Sequence, residues 1–230
     1  MNESEVSPMT MSATEAVTSR RSIRAFTDRP VDQQTIEQIL SDASRAASGT
    51  NIQPWHLTVL QGDAQQDLID AVQAAFDAGN SETDDKYYPS EFVEPYLARR
   101  RKIGWDMYGL LGIERGERDK MAAQHRKNYE FFGAPVGMVF SMHETMSYGG
   151  WLDLGLFMGN IMTLAREHGL DTCPQAAWRE YEAVVHSALG LPPEQNVIVA
   201  MALGYEDTTV KVNELRTERA PLSDFVNFRF

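Results

Sequence analysis

Ile36, Ile39, Leu40, Ala43 and Ala47 fall three or four residues apart and share one face of a helix that Asp32 caps. Val31 and Ile36 hold the positions of a hydrophobic staple across that cap. Upstream, Ser12 and Glu15 have capping-box spacing and open a short helix over 13–19, after a loose polar tail at 1–11. A second amphipathic helix runs over 63–78 through Leu68, Ile69, Val72, Ala75 and Phe76. The segment 91–132 reads as a helical excursion broken at Gly104, Gly109, Gly112 and Gly116. The stretch 150–168 is different. Trp151, Leu152, Leu154, Leu156, Phe157, Met158, Ile161, Met162, Leu164 and Ala165 leave it almost no polar face. A helix apolar nearly all round is buried on more than one side. Gly155 and Gly159 would let another helix come close, so this one is expected at a subunit interface. A last helix over 181–189 stops at Gly190, ahead of Pro192 and Pro193.

Strands are expected at 56–60, 134–142 and 196–203, with a short extended piece at 170–173. The runs at 134–142 and 196–203 are apolar without strict alternation, the mark of strands covered on both faces. Residues 174–178 read as a turn, 79–90 as an acidic loop and 205–222 as irregular chain. Phe225, Val226, Phe228 and Phe230 make an apolar terminus, expected to dock on a partner subunit.

Composition narrows the partners. The 230 residues carry a formal net charge of -12, which leaves no broad basic face for nucleic acid or an anionic membrane. Hydrophobic residues at 43% and charged residues at 23% describe an ordinary soluble globular protein. The single cysteine, Cys173, excludes an intramolecular disulfide and fits a reducing, cytoplasmic setting. No apolar run reaches the roughly 18 residues that a membrane span requires. His56, His125, His143, His168 and His186 show no metal-ligand spacing and read as structural. Neither the dinucleotide fingerprint nor the P-loop pattern occurs.

Against that acidic background, Arg20-Arg21-Ser22-Ile23-Arg24-Ala25-Phe26 is a local cationic knot. Guanidinium forks hold two phosphate oxygens at once, and a serine adds a neutral donor, so the stretch suits a small anion. The competing reading is that the arginines complement the negative end of the preceding helix. Ser48-Gly49-Thr50-Asn51-Ile52-Gln53-Pro54-Trp55 combines small residues with amides, which lets a flat ligand approach the backbone, or else simply links helix to strand. Arg99-Arg100-Arg101-Lys102 precedes Trp105 and Tyr108. This is either a solvated helix face or a cover in which Arg101, Trp105 and Tyr108 select an aromatic substrate.

The Arg20 and Ser48 segments, followed by Gly169-Leu170-Asp171-Thr172-Cys173-Pro174-Gln175-Ala176-Ala177-Trp178 and then Arg219-Ala220-Pro221-Leu222, resemble the FMN-dependent nitroreductase family, in particular its nitrobenzoate-reductase type. The resemblance implies an α+β fold, with a mostly antiparallel central sheet flanked by helices, as one domain over 12–230. It also implies an intertwined homodimer with two FMN molecules at the interface. By that likeness Arg20, Arg21 and Ser22 hold the phosphate and ribityl chain, joined by Arg216 and Arg219. Arg24 sits toward the flavin N1 and O2 edge. Ser48, Gly49, Asn51 and Gln53 come from the other subunit. Pro174 and Gln175 lie by the ring, and the backbone N–H groups near Ala176 and Ala177 face N5 and O4. The implied reaction is reduction of nitroaromatics or quinones by NADH or NADPH, in a ping-pong cycle. The flavin does the chemistry, and no metal or side-chain acid–base pair is required. Reductive dehalogenation, enone reduction and non-enzymatic flavin binding on the same scaffold stay open. Two departures stand out. Gly49 lies where many members have serine, and Ala176-Ala177 replaces an acidic residue and a glycine. No counterpart is found within 79–90 for the polar contacts that some members make to the pyrimidine edge.

Overall fold

A computed structural model describes residues 11–82 and 87–230. Most of the expected tail, and residues 83–86 of the acidic loop, lie outside that range. Helix α1 (Ala13–Ser19) opens on the expected capping box: Glu15 N–H donates to Ser12 Oγ at 3.2 Å, and Ser12 N–H donates to Glu15 Oε2 at 2.8 Å. In α2 (Gln33–Ala43) the Asp32 carboxylate accepts from Thr35 N–H at 3.2 Å. Strand β1 (His56–Leu60) and helix α3 (Gly62–Asp77) follow. The excursion resolves into α4 (Tyr96–Leu110), α5 (Arg118–Arg126) and a 3-10 turn at Lys127–Gly133. Gly112 and Gly116, at φ of 64° and 100°, supply the left-handed backbone between α4 and α5. Gly104 and Gly109 do not interrupt; both lie inside α4. Then come β2 (Val136–His143), α6 (Tyr148–Glu167), β3 (Asp171–Gln175), α7 (Glu182–Leu189) and β4 (Gln195–Gly204).

The four strands form one fully antiparallel sheet in the order β1-β2-β4-β3. Its two middle strands are the two apolar runs, and both faces are covered. Val136, Met138, Phe140 and Met142 pack with Ile36, Ile39, Leu154, Phe157 and Ile161 of α2 and α6. On the other face Val139 joins Leu68, Val72, Val185 and Trp178. Gly137 is required by a close approach. A Cβ there would lie 2.6 Å from the Phe131 ring, which is stacked on Trp178 at 4.4 Å and cannot retreat. β3 runs two residues further than its expected end, through Pro174 and Gln175. It is an edge strand, where a residue without an N–H is tolerated.

The arginine stretch lies along that edge. Ser22 forms a parallel bridge to Thr172, Ile23 N–H donates to the Thr172 carbonyl at 3.1 Å, and Thr27 N–H to Tyr205 O at 2.9 Å. Ile23 and Phe26 point into the core, which anchors the segment between them. α6 buries Leu154, Phe157, Met158, Ile161 and Ala165 against the sheet. Its opposite side carries Tyr148, Leu152 and Leu156, which are 94%, 68% and 44% exposed. Among the described residues no helix is long and apolar enough to cross a membrane.

Candidate functional site

Arg20 ends α1 and is half-buried. Burial and, next, the nearby Arg219 guanidinium hold its pKa below the usual arginine value. Arg219 donates to Thr217 Oγ1 at 2.8 Å and to the Glu218 carbonyl at 2.9 Å; Arg216 donates to the Asn213 carbonyl at 2.9 Å. Among the described residues the Arg24 guanidinium donates only to the Ser22 carbonyl, at 3.2 Å. Among the described residues none of these four cations has a carboxylate partner. The chain has 33 carboxylate side chains, so acidic partners are not scarce. Uncompensated cations, two of them half-buried, favour an incoming anion, and an FMN phosphate with an electron-rich ring edge fits them. Arg21 is different. Its Nη2 meets Glu206 Oε2 at 2.8 Å and its Nη1 donates to the Asn213 carbonyl, which ties the arginine stretch to 206–213.

Asn213 organises this corner. It is buried, accepts the Arg24 N–H on Oδ1 at 2.8 Å, and donates to the carbonyls of Ala25 and Asp207 at 2.8 and 2.9 Å. Sequence spacing gives no sign of it, because its partners lie up to 189 residues away.

The Pro174 turn is built to present backbone. Gln175 is 2% exposed, and its Nε2 donates to the Asn128 carbonyl at 2.7 Å. Its side chain thus faces inward and fastens the turn. Trp178 and Tyr181, both buried, hold the 3-10 segment Ala176–Tyr181. Ala176 and Ala177 between them leave the main chain accessible. The Cys173 thiol beneath is pushed up to about 11 by burial, so it is a packed group and not a nucleophile.

The Ser48 loop is held in an unusual conformation. Thr50, Asn51 and Gln53 have φ of 48°, 60° and 48°, in the left-handed region that costs on the order of 1 kcal/mol or more per non-glycine residue. The restraint is Asp153 of α6, a buried carboxylate that accepts the Gly49 N–H at 3.1 Å. Ser48 Oγ also accepts the Gln53 N–H, at 3.2 Å. Asn51 and Gln53 are exposed and contribute to neither cavity described next.

A cavity of about 230 Å³ is lined by Arg24, Arg100, Tyr108, His125, Asn128 and Phe132, among others. Of the expected substrate residues, Tyr108 lines this cavity. Arg101 does not line it; its neighbour Arg100, equally exposed, does. Trp105 is exposed too and meets Tyr108 in an edge contact at 6.0 Å. A second cavity, of about 640 Å³, separates α4 from the C-terminal segment; Arg99, Lys102, Arg219 and Phe225 line it. His125, read from sequence as merely structural, belongs to a polar cluster with Tyr129 and Glu180.

Known proteins with this arrangement are now comparable. The nitroreductase family model matches residues 17–205. A 4-nitrobenzoate reductase of Nocardioides sp. (strain LMS-CY) is 34% identical over 216 residues, covering 92% of this chain and 87% of that protein. The FMN- and NADPH-dependent nitroreductase NfnB from Sphigopyxis sp. strain HMH superposes with a TM-score of 0.93 at 37% identity, over 96% of this chain and all of that one. The FMN-dependent NfnB from Mycobacterium smegmatis, solved in complex with NADPH, gives 0.91 at 29% identity, over 95% and 98%. Family match, fold and extended sequence likeness agree: this chain belongs to the nitroreductase family.

Proposed function

We propose that the protein is an FMN-dependent oxidoreductase that uses NADPH or NADH to reduce nitroaromatic compounds or quinones. The observation that carries this reading is the set of four arginines, Arg20, Arg24, Arg216 and Arg219, which have no carboxylate partner among the described residues. Bound FMN would supply hydride transfer, taking a hydride from the nicotinamide and passing it to the second substrate. Arg20, Arg216 and Arg219 bind the phosphate, with the Ser22 hydroxyl beside them. Arg24 offsets negative charge at the N1 and O2 edge, which favours the reduced form. The backbone at Ala176 and Ala177 orients the ring at N5 and O4. Arg21 and Asn213 keep this frame in place. Tyr108 and Arg100 line the path of a small aromatic acceptor, and an anionic ring substituent would suit Arg100.

The working unit in this reading is a homodimer in the cytoplasm. Tyr148, Leu152 and Leu156 recur every four residues on α6, and Val17, Ile52, Phe225 and Phe228 are exposed as well. Gly155 and Gly159 have open space above them, so a second α6 can approach closely. The Ser48 loop then offers Asn51 and Gln53 to the partner's cofactor, and the C-terminal segment docks across.

The test is spectroscopic. The purified protein should be yellow or take up FMN, bleach anaerobically with NADPH or NADH, and recover colour with a nitrobenzoate. A colourless protein that cannot bind FMN overturns the proposal.

A further inference from the structure

We propose that Asp153 is a positioning residue for the cofactor: by clamping the Ser48 loop from α6, it sets how tightly FMN is held in the site of the opposite subunit. The inference rests on the FMN and homodimer reading above, in which that loop offers Asn51 and Gln53 across the interface. It adds the group that fixes the loop's shape, and it ties cofactor affinity to the helix that joins the subunits.

Three residues on one stripe of α6 hold the chain that leads out of α2. Asp153, Phe157 and Asn160 are spaced by four and then three positions, so they share a helix face. Asn160 Nδ2 donates to the Ala43 carbonyl at 3.2 Å, at the end of α2. The Phe157 ring stacks on Trp55 at 4.8 Å, just before β1. These two tethers fix the ends of the segment. Between them Asp153 Oδ2 accepts the Gly49 N–H at 3.1 Å, which among the described residues is the carboxylate's only hydrogen bond. The adjoining stripe of α6 carries the exposed Leu152 and Leu156.

The middle of the loop has little else to hold it. Gly49, Thr50, Asn51, Ile52 and Gln53 are all exposed, and Thr50, Asn51 and Gln53 are the three with positive φ. The bonds from Gln53 N–H to Ser48 Oγ and from Asn51 N–H to the Ser48 carbonyl lie within the loop and move with it. Strained backbone persists only where its surroundings over-determine it, and here the surroundings reduce to one carboxylate. Asp153 is 5% exposed, and burying a carboxylate carries a desolvation cost. A buried charge set against a single N–H of an exposed, strained loop indicates that the loop's shape is used. Without the clamp the loop populates other shapes, and FMN binds only the fraction in the competent one, so the apparent Kd rises by the inverse of that fraction.

The experiment titrates the apo-protein with FMN, reading the quenching of flavin fluorescence, and follows subunit association by sedimentation. Asp153→Ala should raise Kd roughly tenfold, the effect of one charge-assisted hydrogen bond, and leave the dimer intact, since Asn160 and Phe157 still hold the ends of the segment. Asp153→Asn, which keeps a carbonyl acceptor in place, should restore most of the affinity. Gly49→Pro removes the donor instead of the acceptor, at a helix-start position that accepts proline, and should repeat the loss. A mixed dimer separates action across the interface from action within one chain. One subunit carries Arg20→Ala and the other Asp153→Ala. Both defects then fall on the same site, so one FMN per dimer should bind with the parent's affinity. Two weakened sites overturn the proposal, as does an unchanged Kd in Asp153→Ala, whatever its melting temperature. A parent that takes up no FMN refutes the FMN reading, and a monomeric parent overturns the action across subunits; both show before any variant is made.

Discussion

Replacing Arg20 by alanine separates the two readings of the cationic stretch, because they predict effects of opposite sign. As the residue that caps the C-terminal end of α1, Arg20 could serve to complement the helix end, a contribution of about 0.3–1 kcal/mol. Its loss would then lower the melting temperature of the apo-protein by up to about 4 °C, at the roughly 2–4 °C per kcal/mol expected for a chain of this size. The surroundings argue the other way. Arg20 is half-buried, lies close enough to Arg219 to be repelled by it, and has no carboxylate partner among the described residues. Removing it relieves repulsion, so the apo melting temperature should stay level or rise. Flavin affinity should suffer instead. A charge-assisted hydrogen bond to phosphate contributes about 1.5–3 kcal/mol, so Kd should rise roughly 10- to 100-fold. With FMN at saturating concentration, a 100-fold loss removes about 2.7 kcal/mol of ligand stabilisation and shrinks the thermal shift by about 5–10 °C. Differential scanning fluorimetry with and without FMN, beside a fluorescence titration, reads both quantities. An apo-protein that melts several degrees lower yet binds FMN with unchanged affinity would refute the argument.

Gly137→Ala should cost about 1–3 kcal/mol, because the new methyl meets the Phe131 ring at 2.6 Å. Thermal melts should show the loss, and Phe131→Leu in the same chain should recover part of it; a melt equal to the parent's would contradict the packing described. The Cys173 thiol is raised from 9.0 to about 11 by burial, so its contribution to stability is complete below pH 9 and is lost as pH rises toward 11, by about 2–3 kcal/mol. Denaturant midpoints across that window check the sign, and alkylation of the folded protein at pH 8 should be negligible. Leu152→Glu places a charge on the exposed side of α6 without touching the core of one chain. Sedimentation should then show a folded monomer, whereas an unchanged dimer would move the interface elsewhere.

Much of the fold is legible along the chain, where the physics is local. The Ser12-Glu15 box, the Asp32 cap and the Gly190 stop each depend on residues a few positions apart, and each forms in the structure. β1 occupies its expected residues, and the apolar runs at 134–142 and 196–203 become the middle of the sheet, because strands with no polar face must be covered on both sides. Order and spacing of the arginine, amide and proline segments suffice to identify the family. What the chain does not disclose is pairing across distance. Arg21 and Arg20 are adjacent and alike in sequence, yet Glu206, 185 residues on, engages one and leaves the other uncompensated. Gln175 resembles a ring contact until Asn128 draws its amide inward. Arg100 and not Arg101 lines the cavity, because helical rotation sets which of two neighbours faces it. Asp153 restrains the Ser48 loop across 104 residues, and His125 joins a polar cluster only when Tyr129 and Glu180 are folded against it. Residue type and local spacing determine which elements form and which chemistry is present. Which cation is left without a carboxylate is decided by groups far apart in the chain, since a hydrogen bond or ion pair depends on distance in space.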